Sequence, residues 1–230
     1  MPNIRFGNID FNGDGAYVWG EGQYSAPARS VDLIEVPGRN GDLLVDNGNY
    51  TNTKAVFEVA ITKDVRFNTD RLKYLLYSQK GYQKLYDSDL KGFYRMASFS
   101  NGFDISEIDA GIVRVEFDCK PFKYDINGEN AVVFEGEGYL TNKYFETSMP
   151  IINVFGRGSG ILYINEQFVA IYAIDEYLTI DTELQDAFKD DQNKNGTINR
   201  ADLVLEPGKN KISFEGGISR VEIVPRWVTL

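Results

Sequence analysis

The sequence predicts a mainly β protein, and three observations carry that prediction. Apolar and polar residues alternate in short segments that recur about every 8 to 12 residues between glycine-rich turns, as in antiparallel sandwiches and jelly rolls. Aromatic residues, which favour strands, are abundant, with 15 Phe and 14 Tyr. A hydrophobic content of 43% in 230 residues excludes a disordered chain and suits one large β domain or two domains of ordinary size.

The N-terminal half consists of strand candidates around one helix. A turn is expected at residues 12–15, because the dipeptides Asn-Gly and Asp-Gly accept positive φ angles. Residues 55–62, AVFEVAIT, alternate strictly between apolar and polar, which is typical of a strand with one buried face. The other strand candidates are NIRFGNIDF, AYVWGEGQY, VDLIEV, LLV, YQKLYD, GFYRMASF and GIVRVEFDCKPFKYD.

The one helix predicted in this half contains residues 71–78, RLKYLLYS, whose three leucines share a face at helical spacing. Asn68 or Thr69 is the expected N-cap, since both residue types accept a hydrogen bond from the first free backbone amides. Gly81 follows shortly after and is expected to end the helix.

A domain boundary is predicted near Asn130, where glycine, asparagine and glutamate become frequent. The expected domains are residues 1–130 and 131–230. The second domain contains the strand candidates PIINVFG, GILYINEQ, VAIYAI, YLTIDTEL, LVLEPGKNKISFEGG and SRVEIVPRW. Residues 156–160, GRGSG, lack the GK[ST] ending of a phosphate-binding loop, and we interpret them as a turn.

The composition excludes several kinds of chemistry. The chain has no histidine, which removes the common general base, the histidine-dependent nucleophiles and the usual zinc site. Cys119 is the single cysteine, so an internal disulfide and a multi-cysteine metal site are excluded as well. A net charge of −10 argues against nucleic-acid binding through phosphate neutralisation. We therefore expect a protein that is not an enzyme and uses no cofactor.

The sequence also contains no apolar run long enough to span a membrane. Residues 1–5, MPNIR, lead directly into patterned sequence without the hydrophobic segment of a secretory signal. We expect a chain that folds in a cytoplasm, or leaves it by a route other than a signal peptide.

Two stretches resemble calcium-binding loops. DFNGDGAYVWGE satisfies the EF-hand pattern, with ligand oxygens from Asp10, Asn12, Asp14 and Glu21. The pattern also needs a helix on each side, and the nine residues before this loop leave no room for one. We therefore interpret the stretch as a hairpin tip.

The second stretch, DQNKNGTINRAD, places Asp191, Asn193, Asn195, Asn199 and Asp202 at the ligand positions. The preceding residues 182–190 could form a short entering helix. Only two of the ligands are carboxylates, and a Pro-Gly pair stops the exit helix within about one turn. A solvated loop or an Asn-Gly hairpin is favoured, with a calcium-stabilised domain as the competing hypothesis.

Few other residues suggest chemistry. Three groups of carboxylates could serve a glycoside hydrolase, although solvated loop charge explains them as well: Asp104/Glu107/Asp109, Asp175/Glu176 and Asp181/Glu183. Trp227 and the tyrosines could stack on sugars, but aromatic residues in a β protein are core or interface residues first. A carbohydrate-binding module for host-surface glycans is the alternative function.

Several segments together resemble the distal tail protein (Dit) family of long-tailed phages that infect Gram-positive hosts. These are VPGRNGDLLVDNGNYTN, LYDSDLKGFYRMASF, VEFDCKPFKY, PIINVFGRGSGILYIN, LTIDTELQDAF, LEPGKNKISF and VEIVPRW. The resemblance runs nearly end to end, and the order and spacing of the segments are more specific than any one of them. Its motif positions are Pro37, Gly38, Arg39, Gly41 and Asp42 in an early turn, Phe117, Cys119, Pro121 and Tyr124 in a later strand, and Leu205, Pro207, Gly208 and Asn210 in a jelly-roll turn.

The resemblance implies an N-terminal β-sandwich or barrel-like domain with one short helix that assembles as a hexameric ring around the tail channel. It also implies a C-terminal galectin-like jelly roll, whose last strand is expected to pack back toward the first domain. Such a ring is a baseplate hub in the virion, assembled in the host cytoplasm. Its partners would be the tail tube protein, the tape-measure protein, and the tail-associated lysin, fibre and receptor-binding proteins. DNA would pass through the channel without specific binding.

Overall fold

The computed structural model describes residues 3–13, 16–100, 102 and 111–230. The chain divides into two compact units, Met1–Lys123 together with Leu230, and Tyr124–Thr229. The strands of the N-terminal part are β1 (Ile4–Phe6), β2 (Ile9–Asp10), β3 (Ala16–Tyr24), β4 (Arg29–Ile34), β5 (Leu43–Tyr50), β6 (Thr53–Ile61), β7 (Gln83–Asp87), β8 (Phe93–Ser98) and β9 (Ile112–Asp125), with helix α1 (Val65–Ser78) between β6 and β7.

Seven of these strands form one sheet in the order β2-β1-β7-β8-β9-β6-β3. The alternation predicted for residues 55–62 is confirmed, because β6 buries every second side chain, among them Ala55, Phe57 and Val59. Strands β4 and β5 form a separate two-stranded sheet.

An aromatic cluster fills the core of the first unit around Phe117 on β9. The ring centroids of Phe6, Phe11, Phe57 and Phe99 lie 4.7, 6.3, 6.2 and 6.0 Å from that of Phe117. Aromatic pairs at such separations in tilted or edge-to-face geometry add to the free energy gained from their burial. Five of the 15 phenylalanines thus meet in the core of this unit.

Helix α1 is longer than predicted. Its first residue is Val65 and its N-cap is Asp64, so the predicted N-cap at Asn68 or Thr69 is wrong. Thr69 is buried, and its hydroxyl donates 2.7 Å back to the carbonyl oxygen of Val65. A threonine can make this bond inside a helix as well as cap one, so the residue type alone did not mark the start. The predicted end is confirmed, since the helix stops at Ser78.

The second unit is built on three long strands, β12 (Ile151–Ile164), β13 (Gln167–Asp181) and β16 (Gly208–Val224). The shorter strands are β10 (Val132–Phe134), β11 (Gly138–Asn142), β14 (Asp186–Lys189), β15 (Gln192–Asn193) and β17 (Val228–Thr229). Strands β10 to β16 form one sheet in the order β10-β16-β12-β13-β14-β15, in which β11 also pairs with β16, whereas β17 pairs with β9. Inward-facing residues of the long strands, such as Ile152, Val154, Ile180 and Val221, are fully buried in its core.

The turn predicted at residues 156–160 is wrong, because these residues lie inside β12. The register of β12 with β16 shifts between Gly156 and Gly160. A Cβ atom on Gly217 of β16 would come within 1.9 Å of the backbone oxygen of Arg157. The glycines therefore allow two backbones to approach closely at a β-bulge, which bends a strand without ending it.

Other predicted strands of this unit also merge. VAIYAI and the first five residues of YLTIDTEL are parts of β13, and both KISFEGG and SRVEIV lie within β16. The short helix considered from Thr182 does not form, because Asp186–Lys189 is strand β14.

The prediction of a mainly β fold with one α-helix is confirmed for the described part of the chain. Among those residues, no helix is long and apolar enough to cross a membrane.

Candidate assembly surfaces

Strands β4 and β5 form a β-hairpin, residues 29–50, that is apolar and solvent-exposed on both faces. Directly opposed residues of an antiparallel pair share a face, so Leu33 and Leu44 lie on one face and Ile34 and Leu43 on the other. Leu33 is 63% exposed and Leu44 58%, while Ile34 and Leu43 are 48% and 41% exposed. An isolated two-stranded hairpin is marginally stable in water. This hairpin therefore has the character of a surface that becomes buried in an assembly.

The tip of the hairpin is a tight turn built by the residues of the Pro-Gly-Arg motif. The backbone N–H of Arg39 donates 3.1 Å to the carbonyl oxygen of Val36, which closes a four-residue turn. Pro37 and Gly38 occupy its central positions, and Gly38 has a φ of 82°. Proline followed by a glycine at positive φ is the signature of a type II turn. Gly41, with a φ of 79°, and Asp42 complete the connection to β5.

Polar contacts fasten the base of the hairpin. The N–H of Thr51 donates 2.9 Å to the carbonyl oxygen of Ala28. Arg29 pairs with Asp46 at 2.9 Å, and Asp46 also accepts a bond from the N–H of Gly48. Together these bonds lower the pKa of Asp46, with the Gly48 bond as the largest cause. The hairpin is thus held at its base while its apolar middle stays open to solvent.

The strand that leads into the hairpin is anchored by a partly buried polar cluster, in which Asp87 is 8% exposed and Tyr24 37%. The hydroxyl of Tyr24, at the end of β3, donates to Asp87 of β7. The guanidinium of Arg95 lies 4.5 Å from the centre of the Tyr24 ring. Burial and the Asp87 carboxylate together raise the pKa of Tyr24 far above its ordinary value, so this side chain acts as a hydrogen-bond donor.

A second exposed apolar surface lies on helix α1. Phe67 is 70% exposed, Tyr74 75% and Tyr77 47%, while Leu72 and Leu76 on the opposite side are buried. Residues seven apart lie on the same helical face, so Phe67 and Tyr74 form one stripe with Tyr77 beside it. We call these three residues the aromatic face of α1. Sequence reasoning found the leucine face of the helix and missed this one.

The first calcium-like stretch is a turn whose described oxygens bind the chain itself. Asp14 and Gly15 lie outside the described residues. Gly13 and Ala16 exchange backbone hydrogen bonds of 3.0 and 3.1 Å, as expected for a tight turn. Asp10 accepts a bond from the N–H of Asn12, and Asn12 accepts one from the N–H of Val18.

In the second calcium-like stretch, four of the five candidate ligands, Asn193, Asn195, Asn199 and Asp202, direct side-chain oxygens to the protein itself. The side-chain oxygen of Asn195 accepts from the N–H of Ala187 at 2.6 Å, and that of Asn193 accepts from the N–H of Asn195. Both carboxylate oxygens of Asp202 bind Arg200 at 2.7 and 2.9 Å. Among the described residues, no group of three or more acidic or cysteine side chains is arranged to hold a metal ion.

The remaining motif positions lie in ordinary structural roles. Cys119 is fully buried on β9, and burial raises the pKa of its thiol to about 11. Pro121 and Tyr124 follow on the same strand. Asn210 is completely buried, and its amide bonds both the N–H and the carbonyl oxygen of Glu206 at 2.9 and 2.8 Å. These two hydrogen bonds close the turn that contains Pro207 and Gly208, and Gly208 has a φ of 89°.

The carboxylates considered for catalysis are held in ion pairs where they are described. Asp104, Glu107 and Asp109 lie outside the described residues. Asp175 and Glu176 both contact Lys189 at 3.4 Å.

Asp181 receives bonds of 2.8 and 2.6 Å from Arg226. Although burial by itself raises the pKa of Asp181, the Arg226 bonds hold it below its usual range. The sequence contained no signal for this pair, because its partners are far apart along the chain.

Trp227 does not offer a surface for sugar stacking. Only 8% of it is exposed, and its backbone packs against Gly128, where a Cβ atom would come within 2.5 Å. The suggestion that Trp227 could bind a sugar is therefore wrong, and the residue belongs to the core of the second unit.

Comparison with known proteins gives a match among solved structures. No family model matches this chain, and no curated protein matches it. Among solved structures, the crystal structure of SPP1 Dit (gp 19.1), described as a paradigm of the hub adsorption apparatus in phages that infect Gram-positive bacteria, matches with a TM-score of 0.75. The match covers 100% of both chains at 14% sequence identity. The resemblance inferred from sequence is thereby confirmed at the level of the fold.

Proposed function

We propose that this protein is a structural hub of a phage tail tip, with no catalytic role. The single observation that carries the proposal is the end-to-end match of its fold to SPP1 Dit, a hub protein of an adsorption apparatus. A match over the whole of both chains supports an equivalent architectural role for both units. Function is still a property of surfaces and sites, so the surfaces of this chain must support it too.

The exposed hairpin supports a role in assembly. Its leucines and isoleucine have no covering element within the described chain, and each is more than 40% exposed. A ring of identical subunits needs two different faces that fit each other, because head-to-tail contacts close when the rotation between copies is right. The hairpin is a candidate for one of these faces. We propose a homo-hexameric ring, formed by the first unit.

The wider role follows from the same proposal. The ring would join the tail tube to the tip, contacting the tail tube and tape-measure proteins on one side and the lysin, fibre or receptor-binding proteins on the other. The second unit would be a galectin-like jelly roll that faces outward. The net charge of −10 supports a channel that DNA passes without being held, since like charges repel. The protein would then reside in the virion, at the tail tip.

A glycan-binding role for the second unit is the alternative candidate, and one observation favours it. Phe168 and Tyr172 lie on the same face of β13 and are 45% and 61% exposed. The ring of Phe168 lies 6.3 Å from that of Tyr163, whose hydroxyl donates 2.8 Å to Glu215. Exposed rings beside a carboxylate suit the stacking and hydroxyl recognition of a sugar. A Tyr172→Ala variant that loses binding on an array of bacterial surface glycans would support this role, and an array without signal for the parent chain would remove it.

The hub proposal is tested by solution mass. Light scattering on a sizing column, over a range of concentrations, is expected to show six times the 26.0 kDa chain mass. Negative-stain images of that peak are expected to show rings with a central channel. A chain that stays monomeric up to its solubility limit, and does not assemble on the tail tube protein from the same phage, would overturn the proposal.

A further inference from the structure

The hairpin and the aromatic face of α1 belong to the same unit but emerge from opposite ends of one strand. β6 begins at Thr53, just after the hairpin, and ends at Ile61, just before α1. At about 3.4 Å per residue, its nine residues span about 27 Å. Both surfaces stay exposed in the single chain, so neither covers the other within one copy.

The two surfaces also carry opposite charge. The hairpin, residues 29–50, has four carboxylates and two arginines. Helix α1, Val65–Ser78, has three cationic residues and one carboxylate, although the whole protein is strongly acidic. Arg66 adjoins Phe67 and Lys73 adjoins Tyr74, and both cations are exposed. The two surfaces are therefore both apolar and opposite in charge, and each of these properties favours specific association.

We propose that the hairpin of one copy docks on the aromatic face of α1 of the next copy. This inference rests on the self-assembly proposed above, and it names the two surfaces that make the contact. Leu33 and Leu44 would pack on Phe67 and Tyr74, while the acidic residues of the hairpin approach the cations of the helix. The other hairpin face, with Ile34 and Leu43, would be covered by the body of the same neighbour.

The contact is head-to-tail by construction. Each copy contributes its hairpin to one neighbour and its helix to the other, which is the arrangement that a closed ring requires. An isologous contact, in which hairpin meets hairpin, would stop at a dimer. It would also bring four carboxylates of one copy against four of another, and like charges at an interface oppose association.

The test uses two variants of the full chain that each break one surface. One variant carries Leu33→Ser and Leu44→Ser in the hairpin, and the other carries Phe67→Ser and Tyr74→Ser in the helix. All four side chains are more than half exposed, so both variants are expected to keep the parent far-ultraviolet circular dichroism spectrum and melting temperature. A Tyr172→Ser variant in the second unit, equally exposed, is the matched control.

Each double variant alone is expected to be monomeric at concentrations where the parent chain and the Tyr172→Ser control assemble. The loss of two buried side chains per contact corresponds to at least about a tenfold rise in the concentration needed for assembly. When the two variants are mixed in equal amounts, the intact hairpin of one meets the intact helix of the other. The expected product is a 1:1 heterodimer that grows no further, since its remaining surfaces are both defective.

Every outcome of this experiment is decisive. A heterodimer on mixing supports the contact. A parent chain that assembles while the mixture stays monomeric, or variants that assemble alone, would overturn this contact and leave the hub proposal standing. A parent chain that stays monomeric both alone and with the tail tube protein from the same phage would overturn both. Oxidative cross-linking of a Leu44→Cys chain with a Tyr74→Cys chain provides an independent readout, because Cys119 is buried.

Discussion

Replacing Gly217 with alanine tests whether the glycine-rich segment of the second unit is a bulge of closely approaching strands. A Cβ atom at this position would lie 1.9 Å from the backbone oxygen of Arg157 and 2.9 Å from its carbonyl carbon. Both atoms belong to the backbone of the neighbouring strand, so no side chain can rotate away. The two strands would have to separate by more than about 1 Å to reach the ordinary carbon–oxygen contact distance of about 3.3 Å.

The expected cost follows from what that separation disrupts. Overpacking of a well-packed site costs about 1 to 3 kcal/mol, and each weakened ladder hydrogen bond adds about 1 kcal/mol. With one or two bonds affected, Gly217→Ala is expected to lower the free energy of unfolding of the second unit by about 3 kcal/mol. Gly158→Ala meets no atom within 4 Å, but its φ of 83° is strained for alanine, so it is expected to cost about 1 kcal/mol. Gly136→Ala, in open space without positive φ, is expected to be within about 0.5 kcal/mol of the parent.

Urea unfolding followed by tryptophan fluorescence measures these differences. Trp227 is buried in the second unit, whereas Trp19 is 53% exposed in the first, so a Trp19→Phe background leaves a single reporter for the relevant core. The midpoint should fall in the order Gly136→Ala, Gly158→Ala, Gly217→Ala, with an unchanged slope. If Gly217→Ala were no more costly than Gly158→Ala, the close approach of the two strands would be wrong.

Three further predictions concern the buried groups and the domain boundary. Arg226→Met leaves the carboxylate of Asp181 without its charged partner and should destabilise the second unit by about 2 kcal/mol, less than a fully buried pair because Arg226 is 22% exposed. Because the pKa of Asp181 is lowered, its pair with Arg226 stabilises the folded unit above about pH 3.9, and this stabilisation is lost as the pH falls through the folded-state pKa. The stability of the Arg226→Met variant should therefore depend less on pH below about 4. The thiol of Cys119, with its pKa raised to about 11, should be inert to a thiol reagent at pH 8 in the folded chain and should react on unfolding. Its contribution to the stability of the folded chain should decrease as the pH rises through the pKa of the unfolded thiol, about 8.5. A fragment of residues 124–230 should give a cooperative melt, whereas a fragment of residues 131–230 should melt at lower temperature because it lacks a segment bonded within the second unit.

The sequence by itself determined the class of the fold and many of its elements. Alternation of apolar residues fixed β6, since a strand with one buried face must repeat every two residues. The leucine spacing gave the buried side of α1, and the Pro-Gly pair gave the turn at the tip of the hairpin. These features are local, because backbone conformation and side-chain period are set by neighbours in the chain.

The tertiary structure decided what the same residues do. Glycines 156, 158 and 160 have the spacing of a turn, yet they lie inside a strand. The backbone of β16 approaches two of them, Gly156 and Gly160, at a shift of register. By its residue type Trp227 was a candidate for stacking on a sugar, but its side chain is buried. In the calcium-like loops, the side-chain oxygens of Asn12 and Asn195 accept hydrogen bonds from backbone amides of their own unit.

Only the tertiary structure showed which apolar residues remain exposed. Leu33 on the hairpin and Tyr74 on α1 sit in patterns that a sequence reader assigns to a core or leaves unassigned, and both are more than 60% exposed. Burial depends on contacts between residues far apart in the chain, and no local pattern encodes it. The proposed assembly surfaces therefore became visible only once the fold had shown which apolar residues are buried and which are exposed.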